Sequence, residues 1–147
     1  MLSVIVDARE APRRLPALLA QLTGGAVEGL VREVFIVAPH SDKVQAICED
    51  MGAEAADTIE AALAWAKGET ALVLPADLRL RDGWIEALTE HLAADGGDAL
   101  VSGLSEGGLL SKRPYGVLVA RSRVVRLENP DLKRLRRQLG LRPLRIG

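Results

Sequence analysis

The sequence predicts a single α/β domain with a mostly parallel central sheet and helices on both of its faces. Short, nearly continuous apolar runs alternate with amphipathic stretches along all 147 residues. Continuous apolar runs are typical of strands buried on both faces, and glycine or proline separates most of them from the helical stretches. Strand–helix alternation of this kind indicates a three-layer domain with right-handed crossovers, here spanning residues 1–147.

Six strands follow from the apolar runs. In chain order they are Ser3–Val6, Val34–Val37, residues 53–56, Thr70–Leu74, Ala99–Ser102 and Val117–Ala120. The fourth strand is predicted to stop at Pro75, because proline cannot donate to the sheet. A loop over residues 103–116 joins the last two strands.

The helices are predicted from apolar side chains at helical spacing and from residues that favour helix ends. The first carries Leu15, Leu18, Leu19 and Leu22 and is expected to stop at Gly24-Gly25. The second is capped by Ser41 or Asp42, buries Val44, Ile47, Cys48 and Met51, and ends at Gly52. The third begins with a capping box of Asp57 and Glu60 and closes at Gly68. The fourth is capped by Asp82 and turns Trp84, Ile85, Leu88 and Leu92 inward. The last covers about residues 131–139, with leucines on one face and basic residues elsewhere.

Composition limits the class of protein. The hydrophobic fraction is 48% and the charged fraction 27%, which are ordinary values for a globular domain. The single cysteine, Cys48, excludes an internal disulfide and a thiolate metal cluster. The start of the chain lacks the pattern of a secretory signal, and no apolar run is long enough to span a membrane. We therefore expect a soluble, cytoplasmic protein.

Charge is distributed unevenly along the chain. Residues 1–111 carry 8 Lys or Arg against 18 Asp or Glu, a net of −10, whereas residues 112–147 carry 11 against 2, a net of +9. A basic C-terminal helix and tail, at about residues 128–147, on an acidic body indicates either a solvated basic surface or an anionic partner. The candidate partners are an anionic membrane surface, which would make the protein membrane-peripheral, or a second copy in a homodimer; nucleic acid is not expected.

The predicted topology also locates the ligand site. Ligands on parallel sheets bind beside the carboxyl ends of the strands. These ends lie at residues 7–10, 38–42 and 75–79, and each of these segments contains a carboxylate or another polar side chain.

Five segments, in order, carry a resemblance to a known family. They are S-V-I-V-D-A-R-E-A (Ser3–Ala11), G-L-V-R-E-V-F-I-V (Gly29–Val37) followed by A-P-H-S-D, the segment Ala66–Trp84 that contains L-P-A-D-L and D-G-W, R-P-Y-G-V-L-V-A-R (Arg113–Arg121), and E-N-P-D-L-K-R-L-R-R-Q-L-G (Glu128–Gly140). Together they resemble a short, divergent family 2 glycosyltransferase of the GT-A fold. Each segment alone is weak, and the ordered series is more specific.

The resemblance implies an enzyme that binds a nucleotide sugar and transfers the sugar to an acceptor. In such enzymes a divalent cation, Mg²⁺ or Mn²⁺, neutralises the leaving diphosphate, and a carboxylate takes the proton of the acceptor hydroxyl. By this resemblance the nucleotide-binding candidates are Asp7, Arg9, Glu10, Ser41 and Asp42, the metal candidate is Asp77, and the candidate base is Glu128 or Asp131.

Several acidic positions of the family pattern are missing. Ala38 stands where an aspartate grips the nucleoside, unless Ser41-Asp42 replaces it, and Pro75 replaces the first aspartate of the D-x-D metal motif. The P-Y-G triplet is followed by Val117 in place of an aspartate. Asn129 replaces the second residue of an E-D pair, and asparagine cannot accept a proton at neutral pH. Asp77 is the carboxylate that remains of the metal motif.

Two alternatives stay open at this point. The joint loss of acidic residues is also consistent with a non-catalytic glycosyltransferase-like scaffold or binding module. A receiver-like signalling domain is a more distant alternative, with Asp77 as phosphoacceptor. It is disfavoured because strand one ends in only one acidic residue, Asp7, and because Lys112 follows Asp77 by only 35 residues.

Overall fold

The computed structural model describes residues 1–10, 12–104, 114–124, 130–139 and 143–144. The strands are β1 (Leu2–Asp7), β2 (Val31–Val37), β3 (Glu54–Ala56), β4 (Thr70–Pro75), β5 (Ala99–Ser102), β6 (Tyr115–Ala120) and β7 (Pro143–Leu144). The helices are α1 (Leu15–Val27), α2 (Asp42–Met51), α3 (Ile59–Trp65), α4 (Trp84–Ala93), α5 (Arg121–Val124) and α6 (Leu132–Leu139), with a short 3-10 helix at Pro12–Arg14.

The strands form one sheet in the order β3-β2-β1-β4-β6-β5-β7. β1 pairs in parallel with β2 and β4, and β3 extends the parallel part beyond β2. β6 runs antiparallel to both β4 and β5, and β7 pairs in parallel with β5. The mostly parallel sheet predicted from the sequence is confirmed.

Two buried clusters, one on each face of the sheet, make the domain three-layered. Neighbouring strand residues alternate between them, so that Val4 and Val6 of β1 belong to one cluster and Ile5 to the other. The first cluster includes the buried residues of α1, α2 and α4, and the second includes those of α3, α5 and α6. Cys48 is buried in the first cluster, as predicted, whereas Met51 is 42% exposed and does not join it.

Helix α1 continues through the two glycines that were predicted to stop it. It runs to Val27, and the chain turns at Gly29, whose φ of +82° favours glycine. Gly25 is a buried residue of this helix, and only glycine fits there. A Cβ at this position would lie 2.5 Å from the Trp84 ring and 2.8 Å from the Val31 side chain. Gly25 therefore permits close packing of α1 on the sheet and on α4, so the prediction of a helix end was wrong.

Two predicted N-caps were also wrong, each by one residue. Helix α3 is capped by Thr58, whose hydroxyl accepts a hydrogen bond from the Ala61 N–H at 3.0 Å, so Asp57 is not the cap. Helix α4 follows Gly83, which has a φ of +86°, and Asp82 makes no capping hydrogen bond. Ser41 caps α2 through the Val44 N–H, as predicted.

The predicted C-terminal end is correct for helix α2 and wrong for helix α3. Gly52 ends α2 in the left-handed conformation with a φ of +69°, as predicted. Helix α3 ends at Trp65, before the predicted stop at Gly68. Gly68 lies against β1 instead, because a Cβ at this position would be 2.7 Å from the Ser3 hydroxyl. None of the helices in the described part of the chain is both long and apolar enough to cross a bilayer.

Candidate functional site

The carboxyl ends of β1 and β4 open into a cavity of about 480 Å³. The two strands are parallel neighbours, so Asp7 lies opposite Pro75, and the Ala76 N–H donates to the Asp7 carbonyl at 3.0 Å. The cavity is lined by Asp7, Arg9, Glu10, Pro75, Ala76, Asp77, Pro114, Tyr115, Asp131, Leu132 and Lys133. Five residues predicted from the sequence to form the site therefore surround one space: Asp7, Arg9, Glu10, Asp77 and Asp131.

Asp7 and Arg9 form a two-pronged ion pair at the end of β1. The Arg9 guanidinium donates to both carboxylate oxygens of Asp7 at 2.8 Å, and the Arg9 backbone N–H donates to Oδ1 at 3.2 Å. Burial alone would raise the pKa of Asp7, but the hydrogen bonds and the charge of Arg9 outweigh it and hold that pKa below its ordinary value. Asp7 is therefore ionised, and its carboxylate is already occupied.

Asp77 lies in the turn that follows β4, and its carboxylate is half-buried. No group within the described ranges hydrogen-bonds or ion-pairs with this carboxylate, although the turn itself is well anchored. The Leu78 N–H donates to the Pro75 carbonyl at 3.2 Å. The Arg79 guanidinium donates to the carbonyls of Ala76 at 3.2 Å and Leu78 at 2.8 Å, on either side of Asp77. The turn is held by this backbone hydrogen bond and by the Arg79 side chain, which leaves the Asp77 side chain available for a ligand.

Asp131 reaches the cavity from the opposite side and caps helix α6. Its Oδ1 accepts a hydrogen bond from the Arg134 N–H at 2.7 Å. Its charge also contributes, after the stronger effect of the hydrogen bonds that Arg9 donates to Asp7, to a raised pKa of Arg9. One oxygen of Asp131 thus has a structural role, and the carboxylate as a whole stays close to the pair at the end of β1. Glu128, the other candidate base, lies outside the described residues.

The sequence-based reasoning missed three basic residues around this cavity. Arg79 anchors the Asp77 turn and donates to the Arg14 carbonyl at 3.0 Å. Lys133 lines the cavity from the first turn of α6. The Arg136 guanidinium lies over the Tyr115 ring, 4.7 Å from its centroid. The sequence showed only that the last helix is basic. It could not show the contacts of Lys133 and Arg136, because these depend on how α6 packs against β6.

Ser41 and Asp42 are not at this cavity. Ser41 lines a separate, smaller groove of about 160 Å³ at the carboxyl ends of β2 and β3, together with His40, Asp57 and Trp65. Its hydroxyl also caps α2. Asp42 lies in the first turn of α2, exposed and outside the residues that line this groove.

A larger cavity, of about 600 Å³, lies at the opposite edge of the sheet, where β1 and β4 begin. Its partly buried carboxylate, Asp98, accepts a hydrogen bond from the Ala120 N–H at 3.0 Å and pairs with Arg123. In parallel sheets this edge is rarely the binding edge. We therefore take the smaller cavity at the carboxyl ends as the candidate site.

The described residues place limits on how a divalent cation could be held. They contain no group of three or more His, Cys, Asp or Glu side chains arranged to hold a metal ion. Both oxygens of Asp7 are engaged by Arg9, and Asp131 gives one oxygen to the α6 cap. Asp77 can offer one free carboxylate, which suits a Mg²⁺ or Mn²⁺ ion that completes its shell with water and phosphate oxygens.

Comparisons with known proteins identify the architecture. No protein-family profile and no curated protein sequence matches the chain. Among solved structures, it is similar to 4-diphosphocytidyl-2C-methyl-D-erythritol synthase from Anaerococcus prevotii, with a TM-score of 0.63 and 10% identity, over 100% of this chain and 89% of that one.

Two glycosyltransferase structures are also similar. Glucosyl-3-phosphoglycerate synthase from Mycobacterium tuberculosis matches with a TM-score of 0.56 and 17% identity, over 83% of this chain and 57% of that one. Mannosyl-3-phosphoglycerate synthase from Rubrobacter xylanophilus matches with a TM-score of 0.53 and 15% identity, over 69% of this chain and 38% of that one. The chain thus spans somewhat more than half of the first enzyme and well under half of the second. At such identities the likeness concerns the fold, and it confirms that this chain has the GT-A-like architecture that the sequence resemblance predicts.

Proposed function

We propose that this chain binds a nucleotide-diphosphate sugar along the carboxyl edge of its sheet and transfers the sugar to an acceptor. The observation that carries the proposal is the Asp77 carboxylate, which stands in a cavity of about 480 Å³ without a partner among the described residues. A half-buried carboxylate that the fold does not use, at the strand ends where such sheets bind ligands, is a candidate ligand-binding group.

The carboxyl edge of the sheet has two concave spaces, one for the nucleoside and one for the diphosphate of such a ligand. The groove beside Ser41 lies over β2 and β3, and the Asp77 cavity lies over β1 and β4. Neighbouring strands are about 4.8 Å apart, so the two spaces are about 10 Å apart along the edge. We assign the nucleoside to the groove beside Ser41, where His40 and Trp65 offer flat rings, and the diphosphate to the Asp77 cavity.

The charge of the cavity requires a cation for this assignment. Among the described residues, its lining contains four carboxylates, from Asp7, Glu10, Asp77 and Asp131, and two cations, from Arg9 and Lys133, which is a net of −2. A diphosphate would be repelled by that balance. A Mg²⁺ or Mn²⁺ ion bound to Asp77 together with the phosphate oxygens would supply the missing positive charge.

For the transfer step we assign Asp131 as the base. The acceptor hydroxyl attacks the anomeric carbon, a new carbon–oxygen bond forms, and the bond to the diphosphate breaks with its electron pair leaving on the nucleotide. The hydroxyl proton passes to the oxygen of Asp131 that does not cap α6. We assign to Lys133, with Arg9 in its pair with Asp7, the stabilisation of the negative charge that develops on the leaving group.

The structural neighbours support a nucleotide ligand and suggest a second reaction. The M. tuberculosis enzyme was crystallised with Mn²⁺, UDP and glucosyl-3-phosphoglycerate. The A. prevotii synthase, by its name a cytidylyl enzyme, matches over 89% of its own length, whereas the glycosyltransferases match over 57% and 38% of theirs. This agreement in size favours nucleotidyl transfer, from a nucleoside triphosphate to a sugar phosphate, as the second candidate.

Calorimetry with UDP, GDP and CTP, each with and without Mg²⁺ or Mn²⁺, tests the proposal. We expect binding that needs the metal and is lost in Asp77→Asn but retained in the control Asp82→Asn, an exposed carboxylate outside the cavity lining. Preference for CTP would select the second reaction. Metal-dependent binding without turnover of any nucleotide sugar would favour the non-catalytic scaffold. No binding of any nucleotide at millimolar concentration would refute a nucleotide site.

A further inference from the structure

We propose that helix α6 is an electrostatic docking surface for an anionic lipid bilayer. This inference does not depend on the proposed function. It starts from the composition of α6, which carries four cations and no acidic residue: Lys133, Arg134, Arg136 and Arg137. All four are exposed, whereas Leu135 on the inner side is fully buried against the sheet. The helix therefore carries exposed positive charge on a rigid support, with Lys133 beside the candidate cavity and Arg136 over the Tyr115 ring.

The cations of α6 differ from those of the neighbouring α5. In α5 the Arg123 side chain pairs with Asp98, and the Arg121 guanidinium donates to the Gly68 carbonyl at 3.0 Å. Within the described residues, the side chains of Lys133, Arg134 and Arg137 have no ion-pair or hydrogen-bond partner. The cations of α5 therefore stabilise the fold through these contacts, whereas three of the four cations of α6 are available to bind an external anion.

The chemistry of the surface favours a lipid headgroup layer as the partner. Clusters of four or more Lys or Arg on an amphipathic helix are typical of sites for phosphatidylserine or phosphoinositide surfaces. Helix α6 has no aromatic residue on which nucleic-acid bases could stack. Leu132 and Leu135 pack against the protein core, so at these positions contact would be with the headgroups and would not insert side chains into the acyl region.

Such docking would also orient the candidate site. Asp131, Leu132 and Lys133, at the start of α6, line the cavity of about 480 Å³. A bilayer bound by α6 would therefore hold the cavity close to the lipid headgroups, within reach of an acceptor in that layer.

Co-sedimentation with vesicles tests the surface. The full chain is expected to sediment with vesicles of phosphatidylcholine and phosphatidylserine in equal amounts, to stay in solution with phosphatidylcholine alone, and to be released by high salt. Each Lys or Arg near such a surface contributes about fivefold in affinity, so Arg134→Gln with Arg137→Gln should weaken binding about 25-fold. Free phosphoserine at equal headgroup concentration should not compete.

The matched control is the double variant Arg32→Gln with Lys43→Gln, which removes two exposed cations from β2 and α2. It should bind the acidic vesicles as the unmodified chain does, and circular dichroism should show that both double variants are folded. The proposal is overturned by the absence of sedimentation with acidic vesicles, by an equal loss in the control, or by binding of RNA or duplex DNA without binding of vesicles. Self-association that is abolished by Arg134→Gln with Arg137→Gln, again without vesicle binding, would assign α6 to a homodimer instead.

Discussion

Two carboxylates at opposite edges of the parallel sheet, Glu33 and Asp77, differ in their hydrogen bonding. At the amino-terminal edge, one Glu33 oxygen accepts hydrogen bonds from the Ser3 hydroxyl at 2.5 Å and from the Lys67 N–H at 2.6 Å. The Ser3 hydroxyl in turn accepts from the Gly68 N–H at 2.9 Å. At the carboxyl edge, the Asp77 carboxylate has no such partner within the described residues.

This difference separates stability from function within one sheet. Polar groups in folded proteins are normally satisfied, and those at the amino-terminal edge connect β1, β2 and the start of β4. Asp77 is half-buried and makes no described contact that holds the fold together, so its carboxylate is available to a ligand. The amino-terminal edge is therefore structural, and the carboxyl edge is the candidate binding edge.

The largest expected effect on stability contrasts Ser3 with Asp77. Ser3→Ala removes a fully buried hydroxyl and leaves the Gly68 N–H without its acceptor, so the free energy of unfolding should fall by about 1–3 kcal/mol. Asp77→Ala removes no described interaction, and its effect should stay within about 0.5 kcal/mol. Urea denaturation of both variants measures the contrast, and equal losses would contradict the assignment of roles.

Stability in acid should depend on the amino-terminal edge. Burial raises the pKa of Glu33, but the hydrogen bonds from Ser3 and from the backbone outweigh it, so its pKa in the folded state is below the ordinary value. A carboxyl group with a lowered pKa stabilises the fold above its unfolded pKa of about 4.3, and that contribution is lost as the pH falls through the folded value. Glu33→Gln should be less stable at neutral pH and should lose less stability on acidification. Identical pH profiles of the melting temperature would refute this role.

The last expected effect on stability is small and concerns the ion pair between Arg9 and Asp7 at the carboxyl edge. Arg9 is partly exposed, so Arg9→Gln should change stability by less than about 1 kcal/mol. Without the guanidinium, burial should dominate and the pKa of Asp7 should rise above its value in the unmodified chain. Titration of the Asp7 carboxyl by NMR measures this rise, and an unchanged pKa would show that Arg9 does not control Asp7.

Much of the fold could be predicted from the sequence, because buried parallel strands produce apolar runs and helices produce spaced leucines. Two N-caps were misplaced by one residue, and two predicted helix stops failed where a distant contact decides the local structure. Gly25 does not stop α1, because the Trp84 ring packs against it, and Gly68 accommodates Ser3 instead of ending a helix. These contacts join residues that are 59 and 65 positions apart, and no local pattern records them.

The candidate site was predictable to a similar degree. Parallel strands bring their carboxyl ends together, so Asp7 and Asp77 could be expected to lie close to each other. Sequence alone could not show that Arg9 donates hydrogen bonds to both oxygens of Asp7, or that Asp77 has no partner among the described residues. Hydrogen-bond partners depend on side-chain positions in the folded chain. The roles assigned to all of the site residues stay predictions: Asp7, Arg9, Glu10, Ser41, Asp42, Asp77, Glu128 and Asp131.

Electron paramagnetic resonance of Mn²⁺ tests the role of Asp77 most directly. Mn²⁺ is titrated into the protein alone, into UDP or CTP alone, and into protein with nucleotide. Because the described cavity lining leaves only the Asp77 and Glu10 carboxylates without a protein partner, we expect little binding of Mn²⁺ by the protein alone and tight binding when nucleotide is present, with a loss of at least about tenfold in Asp77→Asn. The same binding of Mn²⁺ by Asp77→Asn as by the unmodified chain, with each nucleotide, would show that Asp77 is not a metal ligand.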